Sequence, residues 1–371
     1  MTINLIPSLV LYALGGMRFG LAMVGWVALA MVFLVSALPM KRITAGSISS
    51  KKLLYLTSVF ILIFLFSFLP FGGIKNFNLD INEVYNLRDE VSANLPSIFN
   101  YLTPIISKAV IPFAVAAALF YRKYTAAIVF SMTGILVFGF TTHKGAIFYP
   151  LMAVFIYFAL KKSMSYSYIL ALIIGLICVS FFDVYMISEN STNGLFGLYS
   201  NFLVRRSIMV PSLLDYNYIE FFSENPWFFW SSSRLSLGLI SQPYAVTAPY
   251  VIGEAFLGSL EAGANTGYIG SGFAQAGIWG TLLYAIGVGL VVAYINAQSR
   301  TIGLPLVAAI MTAPAVTMFS STDFITLFLT HGMIVSLLLL SLIEPRRRHA
   351  SNNSRAGGFA DGFHVDNSIR R

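Results

Sequence analysis

Long apolar runs alternate with short polar segments along most of the chain. Each run is close to the ~20 residues that an α-helix needs to cross the hydrocarbon core of a bilayer. Helices are the only open structures that can do so, because backbone polar groups in hydrocarbon must be satisfied within their own segment. The runs lie at about 20–38, 53–70, 100–120, 124–142, 146–160, 167–187, 275–296, 302–320 and 324–343.

A shorter apolar run, Asn4 to Leu14, precedes the first long one and predicts either a short span or a re-entrant piece. The pattern therefore predicts an all-α fold: a polytopic integral membrane helical bundle of about nine or ten transmembrane helices. Composition supports this fold, since 57% of the 371 residues are hydrophobic and only 10% are charged. A soluble domain carries about a quarter charged residues, so a soluble enzyme, a nucleic-acid binder and a disordered chain are excluded.

Lysine and arginine are concentrated in alternate connections between the runs. One set of connections, with the C-terminal tail, holds fifteen of the 23 basic residues and three of the fifteen acidic residues. The positive-inside rule makes this set cytoplasmic, and the net charge of +8 then reflects membrane topology rather than a nucleic-acid partner. The set comprises Lys41, Arg42, Lys51, Lys52, Arg122, Lys123, Lys161, Lys162, Arg300, Arg346, Arg347, Arg348, Arg355, Arg370 and Arg371.

In this orientation the two long connections, residues 71–99 and 188–272, face outwards. We therefore expect the functional site on the extracytoplasmic side. The large loop is expected to fold as short amphipathic helices over an outer cavity. The chain then divides into an N-terminal transmembrane bundle over 1–187 with an outer loop at 71–99, a large outer loop over 188–272, C-terminal transmembrane helices over 273–343 and a disordered cytoplasmic tail over 344–371.

The large loop opens with apolar residues at helical spacing over 195–206, which predicts an amphipathic helix in the outer interface. This helix ends in Arg205 and Arg206. Arginines on the outer side oppose the topological bias, and their forked donors match phosphate oxygens. We therefore hypothesise that they bind an anion; contact with lipid headgroups or nearby carboxylates is the alternative. The aromatic cluster at 226–230, which includes Trp227, is typical of an interfacial anchor.

Other outer basic residues are weaker candidates for anion binding. Arg88 has acidic neighbours and favours a local ion pair, whereas Arg234 follows the aromatic cluster. Lys144 follows His143 in a tight turn between two spans, where it either contacts phosphate or extends to the interface.

Lys108 and His331 are ionisable residues within predicted spans. Lys108 stands between Pro104 and Pro112, and a charged group at such a depth usually faces a cavity or a partner. His331 lies about two turns into the last span, where a histidine hydrogen-bonded between helices is the simpler expectation.

The segment 262–277 is rich in glycine, which either lets backbone approach a ligand or lets membrane helices pack closely. The sequence has no P-loop, histidine-rich zinc pattern, dinucleotide fingerprint or nucleophile elbow. Its single cysteine, Cys178, excludes a disulfide framework and a cysteine-based metal site.

Several loose motifs occur in a characteristic order. They are Tyr-x-x-Arg (Tyr85 to Arg88), His143-Lys144 after a span, Arg-x-x-x-x-Pro (Arg206 to Pro211), the stretch Tyr216 to Phe222, Ala-Asn-Thr-Gly-Tyr-Ile-Gly (Ala264 to Gly270) and Ala-Gly-x-x-Gly (Ala276 to Gly280). Over roughly residues 50–300 this order resembles the oligosaccharide repeat-unit polymerases of bacterial inner membranes, the O-antigen polymerase (Wzy) family. The chain departs from the family in being short and in having a poorly formed first span.

The resemblance implies a multi-pass glycosyltransferase of the inner membrane whose site faces the periplasm. Such enzymes transfer a growing glycan from undecaprenyl diphosphate onto the terminal sugar of a new lipid-linked repeat unit. The implied partners are this lipid-linked substrate, membrane lipid, a flippase and a chain-length regulator. No cofactor, metal or nucleic acid is expected.

Glycosyl transfer from a lipid diphosphate requires a stabilised leaving group, a general base and sugar-binding surfaces. The candidates for stabilising the diphosphate are Arg206 and Arg205, followed by Arg234, Arg88 and Lys144. The candidates for the general base are Glu254, Asp215 and His143. The candidates for sugar binding are Asn265, Tyr216 and Trp227.

Two other functions share parts of this pattern. An O-antigen ligase has the same donor and layout, but we expect a histidine in its large loop, and residues 188–272 contain none. A flippase of lipid-linked oligosaccharide is the rival transporter. Transporters tend to have duplicated halves and interrupted helices that carry charges. This sequence shows no duplication, and the only charged residues within its predicted spans are Lys108 and Asp183.

Overall fold

The computed structural model describes residues 2–14, 16–46, 48–71, 77–79, 95–162, 174–175, 178–179, 209–233 and 236–344. Within these ranges the chain is helical and contains no β-strand; one isolated bridge pairs Ile48 with Ile343. Several expectations lie outside the described residues: most of the loop 71–99, most of the run 167–187, the amphipathic helix that ends in Arg206, and the tail after Glu344.

The helices in these ranges are numbered in chain order. They are α1 (Thr2–Leu14), α2 (Phe19–Ser36), α3 (Ser50–Phe66), α4 (Phe99–Phe120), α5 (Tyr124–Thr141), α6 (Gly145–Lys161), α7 (Val210–Glu224), α8 (Ala248–Leu257), α9 (Tyr268–Ile302), α10 (Leu304–Ser320), α11 (Phe324–Thr330) and α12 (Met333–Leu342). A short 3-10 turn at Leu69–Phe71 follows α3. Apart from α9 and the last run, the described helices agree with the predicted runs to within a few residues.

Five of the described helices are long and apolar enough to cross a membrane: α2, α3 with the turn after it, α4, α5 and α9. Helices α11 and α12 make a sixth if this bent pair is counted as one span. Helices α6 and α10 are apolar and have 17 residues each. These findings confirm an all-helical protein with several helices that can cross a membrane.

Helix α4 lies inside the bundle. Every residue from Ile111 to Leu119 is buried, and α3, α5, α6 and α10 pack around this helix. Several of these residues are alanines, whose small side chains let neighbouring helices approach closely. A helix that is apolar on all sides is typical of such a buried position. Helix α4 therefore holds Lys108 within the protein rather than against lipid.

Two helices from the predicted large loop are described, α7 and α8. Helix α7 packs on α9 and buries Tyr218, Ile219 and Phe222. Full burial of an apolar side chain stabilises such a docked helix by roughly 1.5–3 kcal/mol. Pro211 and Pro249 stand in the first turns of α7 and α8, where proline sacrifices no helical hydrogen bond. This part of the loop is therefore folded onto the bundle.

Helix α9 begins at Tyr268, so the end of the glycine-rich segment is a buried helix rather than an open loop. The helix kinks at Ala276 and Gly277, which lack helical dihedral angles. Beyond the kink, a Cβ atom on Gly280 would lie 2.2 Å from the carbonyl oxygen of Gly272. These glycines serve close packing, one of the two roles that the sequence left open.

Two helices are irregular where they meet. Helix α4 has π-helical hydrogen bonds over Ile106–Val110, and the run 324–343, predicted as one span, is two helices bent by 60°. The break lies at His331 and Gly332, and Gly332 has a φ of +84°, which glycine adopts without strain. A Cβ atom on Gly332 would lie 2.9 Å from the Cβ of Ala109. The two irregular segments therefore pack directly against each other.

Several members of the predicted basic set lie at one end of the bundle, which we call the basic end. Arg42 donates hydrogen bonds to Gln298 Oε1 at 3.0 Å and to the carbonyl oxygen of Ile343. Arg122 and Lys161 line a common cavity there. Helix α10 begins beside this cavity and runs to the opposite end of the bundle.

Candidate functional site

A cavity of about 350 Å³, called the polar cavity below, lies at the end opposite the basic end, where α10 stops and α11 starts. Its walls combine hydroxyl, amide and aromatic side chains with few charged groups. The lining residues are Lys108, Tyr218, Trp230, Ser232, Ser233, Thr247, Ala248, Pro249, Asn265, Thr266, Ser271, Gln275, Ser321, Thr322, Asp323, Thr326 and His331. The polar cavity thus lies between residues of the predicted large loop and the ends of the spans.

Lys108 stands in the π-helical segment of α4, on the wall of the polar cavity. Its Nζ atom lies 5.9 Å from the centre of the Tyr149 ring, a cation–π contact. Within the part of the chain that the structure describes, no carboxylate forms an ion pair with it. A buried ammonium group without a counter-ion is costly, so an anion in the cavity would be bound favourably. The expectation that Lys108 lines a cavity is confirmed.

His331 lines the same cavity from the break between α11 and α12. The hydroxyl of Thr330 donates to the carbonyl oxygen of Thr326 at 2.9 Å and lies 2.7 Å from His331 Nδ1. The hydroxyl donates to Nδ1 in one tautomer of the ring and accepts from Nδ1–H in the other. In either tautomer the neutral ring keeps one nitrogen that can accept a proton. His331 therefore offers a base at this wall.

A chain of hydrogen bonds connects the loop to the start of α11. Gln275 Oε1 accepts from the backbone N–H of Trp230 at 2.8 Å, and the Trp230 indole donates to the Tyr284 hydroxyl at 2.9 Å. That hydroxyl donates to Asp323 Oδ1 at 3.0 Å, while Asp323 Oδ2 caps α11 by accepting from the Thr326 N–H at 3.0 Å. Asp323 is therefore held by several donors and serves as an anchor for this wall.

Asp215 lies in α7 and is 5% exposed. Its carboxylate accepts hydrogen bonds from Thr266 Oγ1 at 2.6 Å, the Gly270 N–H at 2.9 Å and Asn4 Nδ2 at 3.3 Å. Burial raises the pKa of Asp215 to about 6, against these three hydrogen bonds, which act to lower it. Asp215 joins α7 to the start of α9 and to α1, and it does not line the polar cavity.

Among the predicted sugar-binding residues, Asn265 lines the polar cavity, whereas Tyr216 and Trp227 do not. Tyr216 lies with Asp215 beside a void of only about 20 Å³. Burial and the neighbouring carboxylate of Glu220 raise its pKa. The Trp227 indole donates to the carbonyl oxygen of Phe222 at 2.8 Å, and its ring covers the kink of α9. The cluster at 226–230 is thus partly a packing element: Phe228 within it is fully buried.

Glu254 is exposed on α8, away from the lining of the polar cavity. His143 and Lys144 are half-buried in the turn between α5 and α6 and do not line it either. Both helices meet in the tight turn that the sequence predicted. The predicted anion-binding residues Arg88, Arg205, Arg206 and Arg234 lie outside the described residues.

Sequence reasoning missed Trp230, Gln275 and Asp323 as cavity residues. Asp323 has a recognisable signal, because Thr322-Asp323 directly precedes an apolar run and aspartate is a preferred helix N-cap. Gln275 stands at the start of an apolar run and lines the cavity directly before the kink of α9, which the hydrophobic pattern does not predict.

No protein-family model, curated protein or solved structure matches this chain.

Proposed function

We propose that the protein is a membrane glycosyltransferase that polymerises undecaprenyl-diphosphate-linked oligosaccharide repeat units into O-antigen or a related surface polysaccharide. The observation that carries this proposal is the ammonium group of Lys108, which lines a polar cavity without a counter-ion among the described residues. A cation beside hydroxyl, amide and aromatic side chains matches a ligand made of a diphosphate and sugars. The motif order described above supports the same substrate.

The proposed reaction is a single displacement within the polar cavity. A hydroxyl of the acceptor sugar attacks the anomeric carbon of the donor glycan, and the bond from that carbon to the diphosphate oxygen breaks. Lys108 stabilises the charge that develops on the diphosphate, and the neutral imidazole of His331 takes the proton of the attacking hydroxyl. Trp230 and Asn265 offer an aromatic face and an amide for the sugar rings.

The arginines predicted from the sequence keep their proposed role. Arg206 and Arg205, followed by Arg88 and Arg234, would bind the diphosphate together with Lys108. Arg206→Ala is then expected to abolish long polymer, and normal polymer lengths in this variant would remove Arg206 from the proposal.

The proposal includes a location and a topology. The bundle would lie in the bacterial inner membrane with nine or ten spans, counting α6, α10 and the run 167–187. The basic end would face the cytoplasm, and the polar cavity would face the periplasm, where lipid-linked repeat units are joined. Residues 188–272 would then form a periplasmic loop.

A transporter of lipid-linked oligosaccharide is a second candidate, and one observation favours it. The irregular segments of α4 and of α11–α12 meet beside Lys108 and His331. Interrupted helices that carry ionisable groups are typical of transporter binding sites. The same cavity would then bind the diphosphate headgroup during transport rather than during reaction.

A complementation experiment tests the proposal. Cells that lack this protein receive either the wild type, Lys108→Gln or the control Lys123→Gln, which removes a lysine at the basic end. For a polymerase, we expect Lys108→Gln to leave surface glycan as single repeat units, while the wild type and the control restore a ladder on a gel. A full ladder with Lys108→Gln, at equal protein level, would contradict the role of Lys108.

The same gel separates the two candidates. Loss of the protein leaves single repeat units on the lipid core if it polymerises, because those units are still made, flipped and attached. Loss of every glycan-bearing species would favour a flippase, or the ligase alternative. A purified sample supplied with undecaprenyl-diphosphate-linked repeat units in detergent is expected to form longer glycans only if the protein is a polymerase.

A further inference from the structure

A second cavity, of about 490 Å³ and called the basic-end cavity below, lies at the basic end of the bundle. Its walls come from the ends of α4 and α6, the junction between α9 and α10, and the residues after α12. Three charged side chains line it: Arg122, Lys161 and Glu344. No ion pair joins them to one another or to other described residues, so their charges are available to a ligand.

The basic-end cavity lies where spanning helices end. Phe120 and Ile302 are the last residues of α4 and α9, two of the helices that can cross a membrane, and both line it. Such helix ends lie near the boundary between hydrocarbon and headgroups. Leu306 and Ile343 add to the apolar part of the wall. The cavity therefore combines charged groups with apolar surface at headgroup depth, which favours a lipid over a soluble ion.

Arg122 has an unusual backbone conformation. Its φ is +58°, in the left-handed region that glycine adopts most readily. Carbonyl oxygens near the C-terminus of α4 already accept hydrogen bonds from the backbone. The Arg122 N–H donates to Leu119 O at 3.0 Å, and the Lys123 N–H donates to Ala118 O at 2.9 Å. Its guanidinium group is therefore not needed to cap the helix and remains free to bind phosphate.

Lys161 supplies the second cation. Its Nζ atom lies 5.5 Å from the centre of the Tyr157 ring, a cation–π contact that leaves its hydrogen-bond donors to other partners. The start of α10 adds Gly303 and Pro305 to the same wall, and the positive end of this helix dipole increases the attraction for an anion. Glu344 supplies the one carboxylate of the lining.

We propose that the basic-end cavity binds a phospholipid headgroup that carries both a phosphate and an ammonium group, as in phosphatidylethanolamine. Arg122 and Lys161 bind the phosphate oxygens through charge-assisted hydrogen bonds. Glu344 binds the ammonium group and thereby selects this headgroup over one with phosphate alone. The site is separate from the polar cavity, so the proposal stands or falls independently of the proposed function.

The test uses the purified full-length protein in detergent and native mass spectrometry of bound lipid. The probes are short-chain phosphatidylethanolamine, short-chain phosphatidylglycerol and inorganic phosphate. The double variant Arg122→Gln with Lys161→Gln is expected to bind both lipids about tenfold more weakly, from the loss of charge-assisted hydrogen bonds. The matched control is Lys123→Gln with Lys162→Gln, which removes two exposed cations next to these positions without changing the lining.

Glu344→Gln provides an independent test, because Glu344 is exposed and its replacement leaves the fold intact. We expect this variant to lose the preference for phosphatidylethanolamine while it keeps its affinity for phosphatidylglycerol. An unchanged preference would overturn the role of Glu344. Equal losses in the two double variants, or inorganic phosphate that binds as tightly as lipid, would overturn the headgroup site.

Discussion

At the residue scale, two buried ionisable side chains differ in how their charge is satisfied. The carboxylate of Asp215 has three donors within 3.3 Å, whereas the ammonium group of Lys108 has an aromatic ring and a cavity. A buried charged group whose hydrogen bonds are all made within the protein is typical of a structural role. A buried charged group that lacks such partners is typical of a ligand-binding position. Asp215 therefore joins α7 to α9 and α1, and its role as a general base stays a prediction, whereas Lys108 lines the polar cavity.

His331→Gln tests the base in the polar cavity. A glutamine amide can still form a hydrogen bond with Thr330 but cannot take a proton, so we expect kcat to fall by about 10²- to 10⁴-fold, with KM little changed. The measurement is glycan elongation by purified protein at several acceptor concentrations. A variant that loses substrate binding but keeps kcat would contradict the assignment.

Asp215 makes stability depend on pH. Its pKa is raised from 3.8 to about 6 in the folded protein. The stability that this shift contributes to the folded state is therefore fully present below the pKa of the unfolded chain and is lost as the pH rises through the pKa of the folded protein. Asp215→Asn stays neutral. The wild type should therefore lose on the order of 3 kcal/mol relative to this variant between about pH 4 and about pH 7.

Thermal unfolding in detergent at several pH values measures this difference. Glu254→Gln, which likewise replaces a carboxylate with an amide but at an exposed position, is the control. If the curves of wild type and Asp215→Asn run parallel across this range, the carboxylate is not held as described.

The sequence could predict single residues of the site but not their grouping. Lys108 was recognisable because it interrupts an apolar run, and Asn265 because it lies in the glycine-rich motif. Trp230, Gln275 and Asp323 come from distant parts of the chain and meet only through hydrogen bonds across the fold. No local pattern encodes such contacts.

At the scale of elements, hydrophobic pattern predicted where helices lie but not where they break. Apolar runs set the bounds of α2 to α6 and of α10, because burial in lipid or protein requires apolar side chains at every turn. The π-helical segment of α4 leaves no trace in that pattern, since it changes the hydrogen-bond register and not the hydrophobicity. The break at Gly332 likewise depends on one dihedral angle in an otherwise apolar run.

The contact between the two halves of α9 predicts a sharp difference between two glycines. Gly280→Ala places a methyl group 2.2 Å from a backbone oxygen, so we expect a loss of about 1–3 kcal/mol from overpacking. Gly25→Ala in α2 has no atom within 4 Å of the new carbon and should be neutral or gain up to ~1 kcal/mol from helix propensity. Thermal unfolding measures both, and equal effects would contradict the close approach.

At the scale of the whole molecule, the two cavities lie at opposite ends of the bundle. The proposed topology puts the basic end on the cytoplasmic side of the membrane and the polar cavity on the periplasmic side. In a Cys178→Ser background, Lys144→Cys should react with a membrane-impermeant maleimide added to spheroplasts that have lost the outer membrane. Lys123→Cys should react only after lysis. Labelling of both before lysis, or of Lys123→Cys alone, would contradict the orientation derived from the basic residues.

The burial of α4 has a consequence for the order of assembly. Helix α10, which covers one of its faces, is synthesised only after the whole of the large loop. During synthesis, α4 therefore enters the membrane with this face open, and Lys108 has neither its final neighbours nor a folded cavity around it. We expect α4 to be the span that most depends on the insertion machinery, and a chain truncated before α10 to be a preferred substrate of membrane proteases.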